Sequence, residues 1–406
     1  MREIKVLLST FGPLHLIKSA QFLLNYVDID VVQGWIPTNN QKWLVELTSS
    51  FMHRDLKKSF SKRIPECLNG RNYGLAIPEF CLWAGKKNSF LRTIFTPQFA
   101  SGLYSNMSRK YINTHYDIFH VRSGNGRKAI EYAKQMGLKV VVDQSIAHSF
   151  YIDRVLRPDY ERYNMYCGYR SDFWLSLLDD CKNADMILVN SDFVKETFVE
   201  EGFNPDIIKV AYLGVRSDFL NLKKDYKRGD TLNILFTGGF GFRKGGLYIL
   251  QALQRLDSMG VDYKFTVVGA YADEYEILKK YSPKHIEYKG FIPQDELKCY
   301  LSEYDIYLFP SLSEGCASSG MEAMAAGMPI ITTRASGLPI EDKVNGLIIP
   351  SKDIDAIVDS ILKLSEDESL RESLGKNASK LIAHNYSWND YARTVFNFYV
   401  DLINEN

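Results

Sequence analysis

Two short segments hold the residue types that chemistry on a phosphorylated sugar requires. The first runs Phe309-Pro310-Ser311-Leu312-Ser313-Glu314-Gly315-Cys316-Ala317-Ser318-Ser319-Gly320-Met321-Glu322-Ala323-Met324-Ala325-Ala326-Gly327-Met328-Pro329. It reads as a strand ending at Phe309, a loop of small residues, a helix and a turn. The small residues allow backbone N–H groups and a helix start to approach a ligand closely, and a helix start favours phosphate. Glu314 lies in the loop and Glu322 in the helix. An ionised carboxylate accepts two hydroxyl hydrogen bonds at once, so each suits a vicinal diol, one on a ribose and the other on a hexose. An isolated pair of glutamates is usually solvated surface; the complete string is what makes the pair informative.

The second segment is Leu235-Phe236-Thr237-Gly238-Gly239-Phe240-Gly241-Phe242-Arg243-Lys244-Gly245-Gly246. A strand enters a glycine-rich turn that carries two adjacent cations and leads into a helix. Arg grips two oxygens of a diphosphate in a fork, and Lys acts as a point charge. The glycines do not follow Gly-x-Gly-x-x-Gly, so a dinucleotide fingerprint is a poor match.

Together these strings resemble glycosyltransferase family 4, with its Glu-x7-Glu signature and the Glu-Ala-Met-Ala-x-Gly-x-Pro that follows. The resemblance covers about Lys139–Trp388 and is most specific from Leu232 to Pro350. It implies a GT-B fold: α/β, two Rossmann-like doubly wound domains with an interdomain cleft and a C-terminal crossing helix. It implies that Glu322 binds the nucleotide ribose and that Glu314 contacts donor-sugar hydroxyls, within a donor loop of Gly315, Cys316, Ala317, Ser318 and Ser319. Cys316, Ala317 and Ser319 depart from the family's Glu-Gly-Phe-Gly-x-Pro form, which bears on which sugar is taken. The family's Gly-Arg-Leu-x-x-x-Lys-Gly is matched at Lys244-Gly245. Gly239 stands at its Arg position, so Arg243 is expected to supply the guanidinium beside Gly238 and Gly239. Gly290-Phe291 resembles the turn that faces the nucleotide base, Gly12 the loop near the donor phosphate, and His148 a histidine that contacts the donor sugar. Asp143 and His120 are rivals for that last role. The implied reaction moves a hexose-type sugar from a UDP- or GDP-linked donor to a glycan or lipid-linked glycan with retention of configuration, without cofactor or bound metal. A GT-B nucleotide-sugar epimerase and a catalytically silent nucleotide-sugar-binding partner subunit are the alternatives.

The elements that must position these residues alternate along the chain. Short apolar runs at Lys5–Ser9, Ile118–Val121, Lys139–Asp143, Asp185–Asn190 and Ile208–Tyr212 read as strands. Helical stretches follow at Leu14–Tyr26, Arg127–Met136 and Ser191–Glu201. The pattern repeats at Leu232–Phe236, Tyr263–Val268, Ile286–Lys289, Ile306–Phe309 and Ile330–Thr332, with helices near Gly246–Met259, Asp273–Tyr281, Gln294–Ser302 and Ser319–Ala326. Such alternation argues for parallel sheets covered by helices, with ligands at the strand C-terminal ends. The expected domains are 1–220 for the acceptor and 231–386 for the nucleotide sugar, joined by a polar linker at 221–231. A last helix, in residues 387–406, packs back on the first domain.

Composition narrows the remaining classes. Lys plus Arg and Asp plus Glu both number 49 in 406 residues, so no basic surplus points to nucleic acid. Six cysteines without a CxxC pair are expected to be reduced. The apolar run Val6-Leu7-Leu8 is too short for a secretory core, and no stretch reaches transmembrane length. The expected location is cytoplasmic, in peripheral contact with the inner face of an anionic membrane through residues 51–97, where Arg54, Lys57, Lys58, Lys62, Arg63, Arg71, Lys86, Lys87 and Arg92 interleave with Phe51, Phe60, Phe80, Trp83, Phe90 and Phe95.

Overall fold

The computed structural model describes residues 3–12, 15–36, 65–272 and 274–404. Thirteen strands among them form two all-parallel sheets. The first contains β1 (Lys5–Thr10), β2 (Asp28–Gln33), β3 (Asn72–Gly74), β4 (Ile118–Arg122), β5 (Lys139–Gln144), β6 (Met186–Val189) and β7 (Ile208–Val210) in the order β3-β2-β1-β4-β5-β6-β7. The second contains β8 (Leu232–Thr237), β9 (Tyr263–Val268), β10 (Ile286–Gly290), β11 (Ile306–Phe309), β12 (Ile330–Thr332) and β13 (Leu347–Ile348) in the order β10-β9-β8-β11-β12-β13. Both orders reverse direction beside their first strand. The crevices between the ends of β1 and β4, and of β8 and β11, are therefore the topological switch points where ligands settle in such sheets.

The sequence explains this layout locally. β6 and β11 are buried at every residue, as strands covered on both faces must be. In the first half the helices are α1 (His15–Leu23), α2 (Ala76–Lys87), α3 (Ser89–Ile94), α4 (Pro97–Ser108), α5 (Arg127–Gln135), α6 (Ser149–Arg162), α7 (Asp172–Lys182) and α8 (Asp192–Glu200). Then come α9 (Gly246–Ser258), α10 (Tyr275–Leu278), α11 (Gln294–Glu303), α12 (Ser318–Ala326), α13 (Ile354–Glu366), α14 (Glu368–Asn385) and α15 (Trp388–Asn404). Ser191 caps α8 by accepting from the Val194 backbone N, and Gly202 closes that helix region at φ 90°.

Helix α15 lies on the first sheet's side, its Trp388 stacked on Phe22 and its Phe396 on Tyr26. Its Tyr399 hydroxyl is hydrogen-bonded to His120 Nδ1 at 2.5 Å. One expectation is shortened: among the described residues, the helix expected near Asp273–Tyr281 spans Tyr275–Leu278. The polar segment 221–231 is firmly held, with Lys223 Nζ donating to the Tyr304 carbonyl at 2.7 Å and Tyr226 Oη to that of Gly327 at 2.8 Å. Both side chains find buried carbonyls.

Candidate active site

At the second switch point, the loops leaving β8 and β11 meet. Gly238 adopts φ 126°, a conformation that excludes most side chains, and a Cβ there would lie 3.4 Å from Lys244 Nζ. Gly245, at φ 78°, closes the turn against Pro310. This turn delivers two cations to one oxygen. Arg243 Nη1 lies 2.8 Å, and Lys244 Nζ 2.9 Å, from Glu314 Oε1. Arg243 also donates to the Ser313 carbonyl at 2.7 Å, while Lys244 sits 4.7 Å over the Phe309 ring. Burial alone would push the Glu314 carboxyl up; the two cations outweigh it and hold the group below the usual carboxylate range. Burial likewise works against the Arg243 charge, and Glu314 more than restores it.

Helix α12 starts beside this cluster. No side chain caps its N-terminus, which leaves its first amides for other acceptors, and Ser319 Oγ ties it to the Thr237 carbonyl at 3.2 Å. Cys316 and Ala317 are buried beneath the loop, burial pushing the Cys316 thiol up to about 12, whereas Ser318 is exposed. Gly315 packs tightly against the first half of the chain. A Cβ there would lie 2.1 Å from the Ser145 carbonyl oxygen, and its own carbonyl accepts from Ser191 Oγ at 2.5 Å.

Glu322 occupies a different setting on the same helix. Burial raises its carboxyl to about 7, and its charged neighbours are Arg216, Lys18 and Asp218 rather than Arg243 or Lys244. Lys18 belongs to α1, so a charge from the first half acts on Glu322. The structure thus gathers Arg243, Lys244 and Glu314 into one cluster and sets Glu322 apart from it, among Arg216, Lys18 and Asp218.

The remaining expected residues divide. Gly290 ends β10 at φ 66° and presents Phe291, 94% exposed. Gly239 lines a cavity of about 380 Å³ together with Arg243 and Lys244. Gly12 lies just past β1, its carbonyl accepting from Thr10 Oγ1 at 3.0 Å. His148 is the N-cap of α6, its Nδ1 accepting from the Phe150 backbone N at 3.2 Å and its ring edge-on to Phe198 and Phe203. Burial lowers its pKa to about 4. The rivals are buried as well: His15 Nε2 lies 3.0 Å from Asp143 Oδ2, and His120 is fully enclosed.

Sequence reasoning missed Tyr160, Tyr169 and Glu274, which complete the 380 Å³ cavity. Tyr160 Oη donates to Glu274 Oε1 across the two halves. No local pattern marks them, because they converge only through tertiary packing. Among the described residues no group of His, Cys, Asp and Glu is arranged to hold a metal ion, and no helix is long and apolar enough to cross a membrane.

Two parallel sheets of seven and six strands, with their helices, form the two-domain α/β fold of the GT-B glycosyltransferases. Residues 218–381, which hold all of the second sheet, match the family model "Glycosyl transferases group 1". The chain is 31% identical over 198 residues, 46% of its length and 48% of the relative's, to the amylovoran biosynthesis glycosyltransferase AmsK of Erwinia amylovora. It is also 31% identical over 180 residues, 41% of its length and 46% of the relative's, to the capsular polysaccharide biosynthesis glycosyltransferase CapM of Staphylococcus aureus. The chain spans about half the length of these curated relatives. Among solved structures, Anabaena HepE in complex with UDP and glucose superimposes with TM-score 0.62 at 15% identity, over 98% of this chain and 100% of that one.

Proposed function

We propose that this protein is a glycosyltransferase that moves a hexose-type sugar from a nucleotide-diphosphate sugar to a glycan or lipid-linked glycan acceptor, with retention of configuration. The observation that carries the reading is the convergence of Arg243 and Lys244 on Glu314 beside the uncapped start of α12. Cations and helix amides set in advance around a phosphate site stabilise the charge that grows on a departing diphosphate. In this reading Glu314 holds donor-sugar hydroxyls and Glu322 the ribose, with Phe291 at the base. The half built on the first sheet, residues 1–220, receives the acceptor, and residues 231–386 hold the donor.

Bond formation and cleavage occur on the same face of the sugar. The acceptor hydroxyl attacks the anomeric carbon as the bond to the diphosphate breaks, and the departing phosphate takes the hydroxyl proton. Arg243 and Lys244 meet the leaving charge, and no cofactor beyond the nucleotide sugar is invoked. The likeness to AmsK and CapM, glycosyltransferases of amylovoran and capsular polysaccharide biosynthesis, supports a role in building surface polysaccharide.

A panel of UDP- and GDP-linked sugars, scored by thermal stabilisation, tests the reading, because a ligand that binds the native state raises its apparent stability. A clear shift with one donor supports it, and no shift with any member opposes it. The anomer of the product, read by NMR, tests retention; an inverted product overturns that part.

A further inference from the structure

Exposed large apolar residues are concentrated in one part of the described surface. Ile77, Phe80, Phe90, Ile94 and Phe99 are 56%, 64%, 71%, 47% and 44% exposed, all within α2–α4. Soluble surfaces rarely gather large apolar side chains so closely, and a patch of this kind marks an interaction site. The helices that carry it are firmly built. Asn88 caps α3 by accepting from the Phe90 and Leu91 backbone N atoms, and Thr96 caps α4 by accepting from that of Phe99. A Cβ on Gly85 would lie 2.6 Å from the Phe95 carbonyl oxygen, which shows how tightly α2 meets the turn after α3. The exposed rings are therefore held outward by packed helices.

The stretch of sequence that carries the patch is basic. From residue 67 to residue 116 the sequence contains a single acid, Glu79, against Arg71, Lys86, Lys87, Arg92, Arg109 and Lys110. Glu79 is turned inward, its Oε2 accepting from the Trp35 backbone N at 2.8 Å. Arg71 is paired with Asp28, while Arg109 and Lys110 lie over the Tyr132 and Tyr111 rings. Lys86, Lys87 and Arg92 are exposed beside Phe80 and Phe90. Apolar side chains that can enter an acyl boundary, interleaved with exposed cations on the same helices, fit an anionic lipid headgroup layer.

The position of the patch adds to this. Trp35, held by Glu79, follows the C-terminal end of β2, and Tyr104 of α4 stacks on Phe11 at 5.1 Å, just past β1. The helices thus stand over the same rim of the first sheet that carries Gly12.

We propose that the α2–α4 face, through Ile77, Phe80, Phe90, Ile94 and Phe99 with Lys86, Lys87 and Arg92, docks the protein on an anionic bilayer. This docking does not depend on the donor reading. It would bring the first sheet's ligand-binding rim to the surface where a lipid-linked substrate lies.

The test is flotation of the full chain with vesicles of phosphatidylcholine alone or with about one third phosphatidylglycerol, at low and high salt. The wild type should float with the anionic vesicles only, and less at high salt. Phe80→Ser with Phe90→Ser, and separately Lys86→Glu with Lys87→Glu, should each lower the bound fraction at least tenfold. The melting temperature of each variant, and its shift with nucleotide sugar, should match the wild type, which separates lost docking from lost folding and from failure of the donor reading. No flotation of the wild type, equal binding to neutral vesicles, or binding untouched by charge reversal overturns the proposal. So does self-association of the wild type that Phe90→Ser abolishes, since the face would then be covered by a second copy.

Discussion

Lys244 Nζ lies 2.9 Å from the Glu314 oxygen that Arg243 Nη1 also holds, so the two cations share one carboxylate oxygen at the switch point of the second sheet. Adjacent residues on a tight turn seldom point the same way. They do so here because Gly238 and Gly245, both at positive φ, fold the loop back over the end of β8.

Removing either cation should be costly for catalysis and mild for the fold. Lys244→Ala is expected to lower kcat/KM by roughly 10²- to 10³-fold, the range seen when one preorganised charge-stabilising group is lost. Arg243→Lys should fall short of wild type as well, because a compact ammonium lacks the planar fork with which a guanidinium grips two phosphate oxygens. Steady-state kinetics with the donor identified by thermal shift would check both.

Glu322 should make donor binding depend on pH near neutrality. Burial raises its carboxyl to about 7 against Arg216 and Lys18, with Asp218 adding to the rise. The carboxylate form accepts ribose hydroxyls, so donor affinity should climb as pH rises through 7, and Glu322→Gln should flatten the profile. Stability carries the opposite sign. The folded state holds this proton more tightly than the unfolded one, so the contribution is complete below the unfolded value near 4.5 and is lost as pH rises through 7. Denaturant titrations of wild type and Glu322→Gln at pH 5 and 8 should reveal a difference on the order of 2–3 kcal/mol.

Gly315→Ala should strain the contact between the two halves, since its Cβ would meet the Ser145 carbonyl oxygen at 2.1 Å. A loss of about 1–3 kcal/mol in stability is expected, together with weaker activity, because the residue adjoins Glu314. Thermal unfolding and transfer rate measured on the same preparation would show both.

His148 offers a contrast. As the cap of α6 it should tolerate Asn, which accepts the same backbone hydrogen bond, while His148→Ala should cost about 1 kcal/mol of stability. Donor affinity should remain near wild type in His148→Asn. A collapse of transfer in that variant with stability intact would support the donor-sugar role that the sequence suggests.

Much of the architecture was legible because it rests on local physics. β5, Lys-Val-Val-Val-Asp-Gln, and β11, Ile-Tyr-Leu-Phe, are continuous apolar runs, the form that a strand buried on both faces takes. β2, Asp-Ile-Asp-Val-Val-Gln, was missed because its acids dilute that signal, and β3, Asn-Tyr-Gly, is an edge strand with no apolar run at all. Helix α6 was hidden by Pro158 and by its run of charged residues. Arg243, Lys244 and Glu314 could be read from two contiguous strings. Tyr160 and Glu274, 114 positions apart, could not, since only the packed interface between the halves brings them together.

Calorimetric titration of UDP and GDP into the wild type, Lys244→Ala and the Arg243→Ala, Lys244→Ala double variant tests the central claim most directly. One nucleotide should bind the wild type, with affinity falling at least tenfold on loss of Lys244 and further in the double variant. Equal affinities across the three proteins would show that Arg243 and Lys244 do not hold the diphosphate, and would contradict the account.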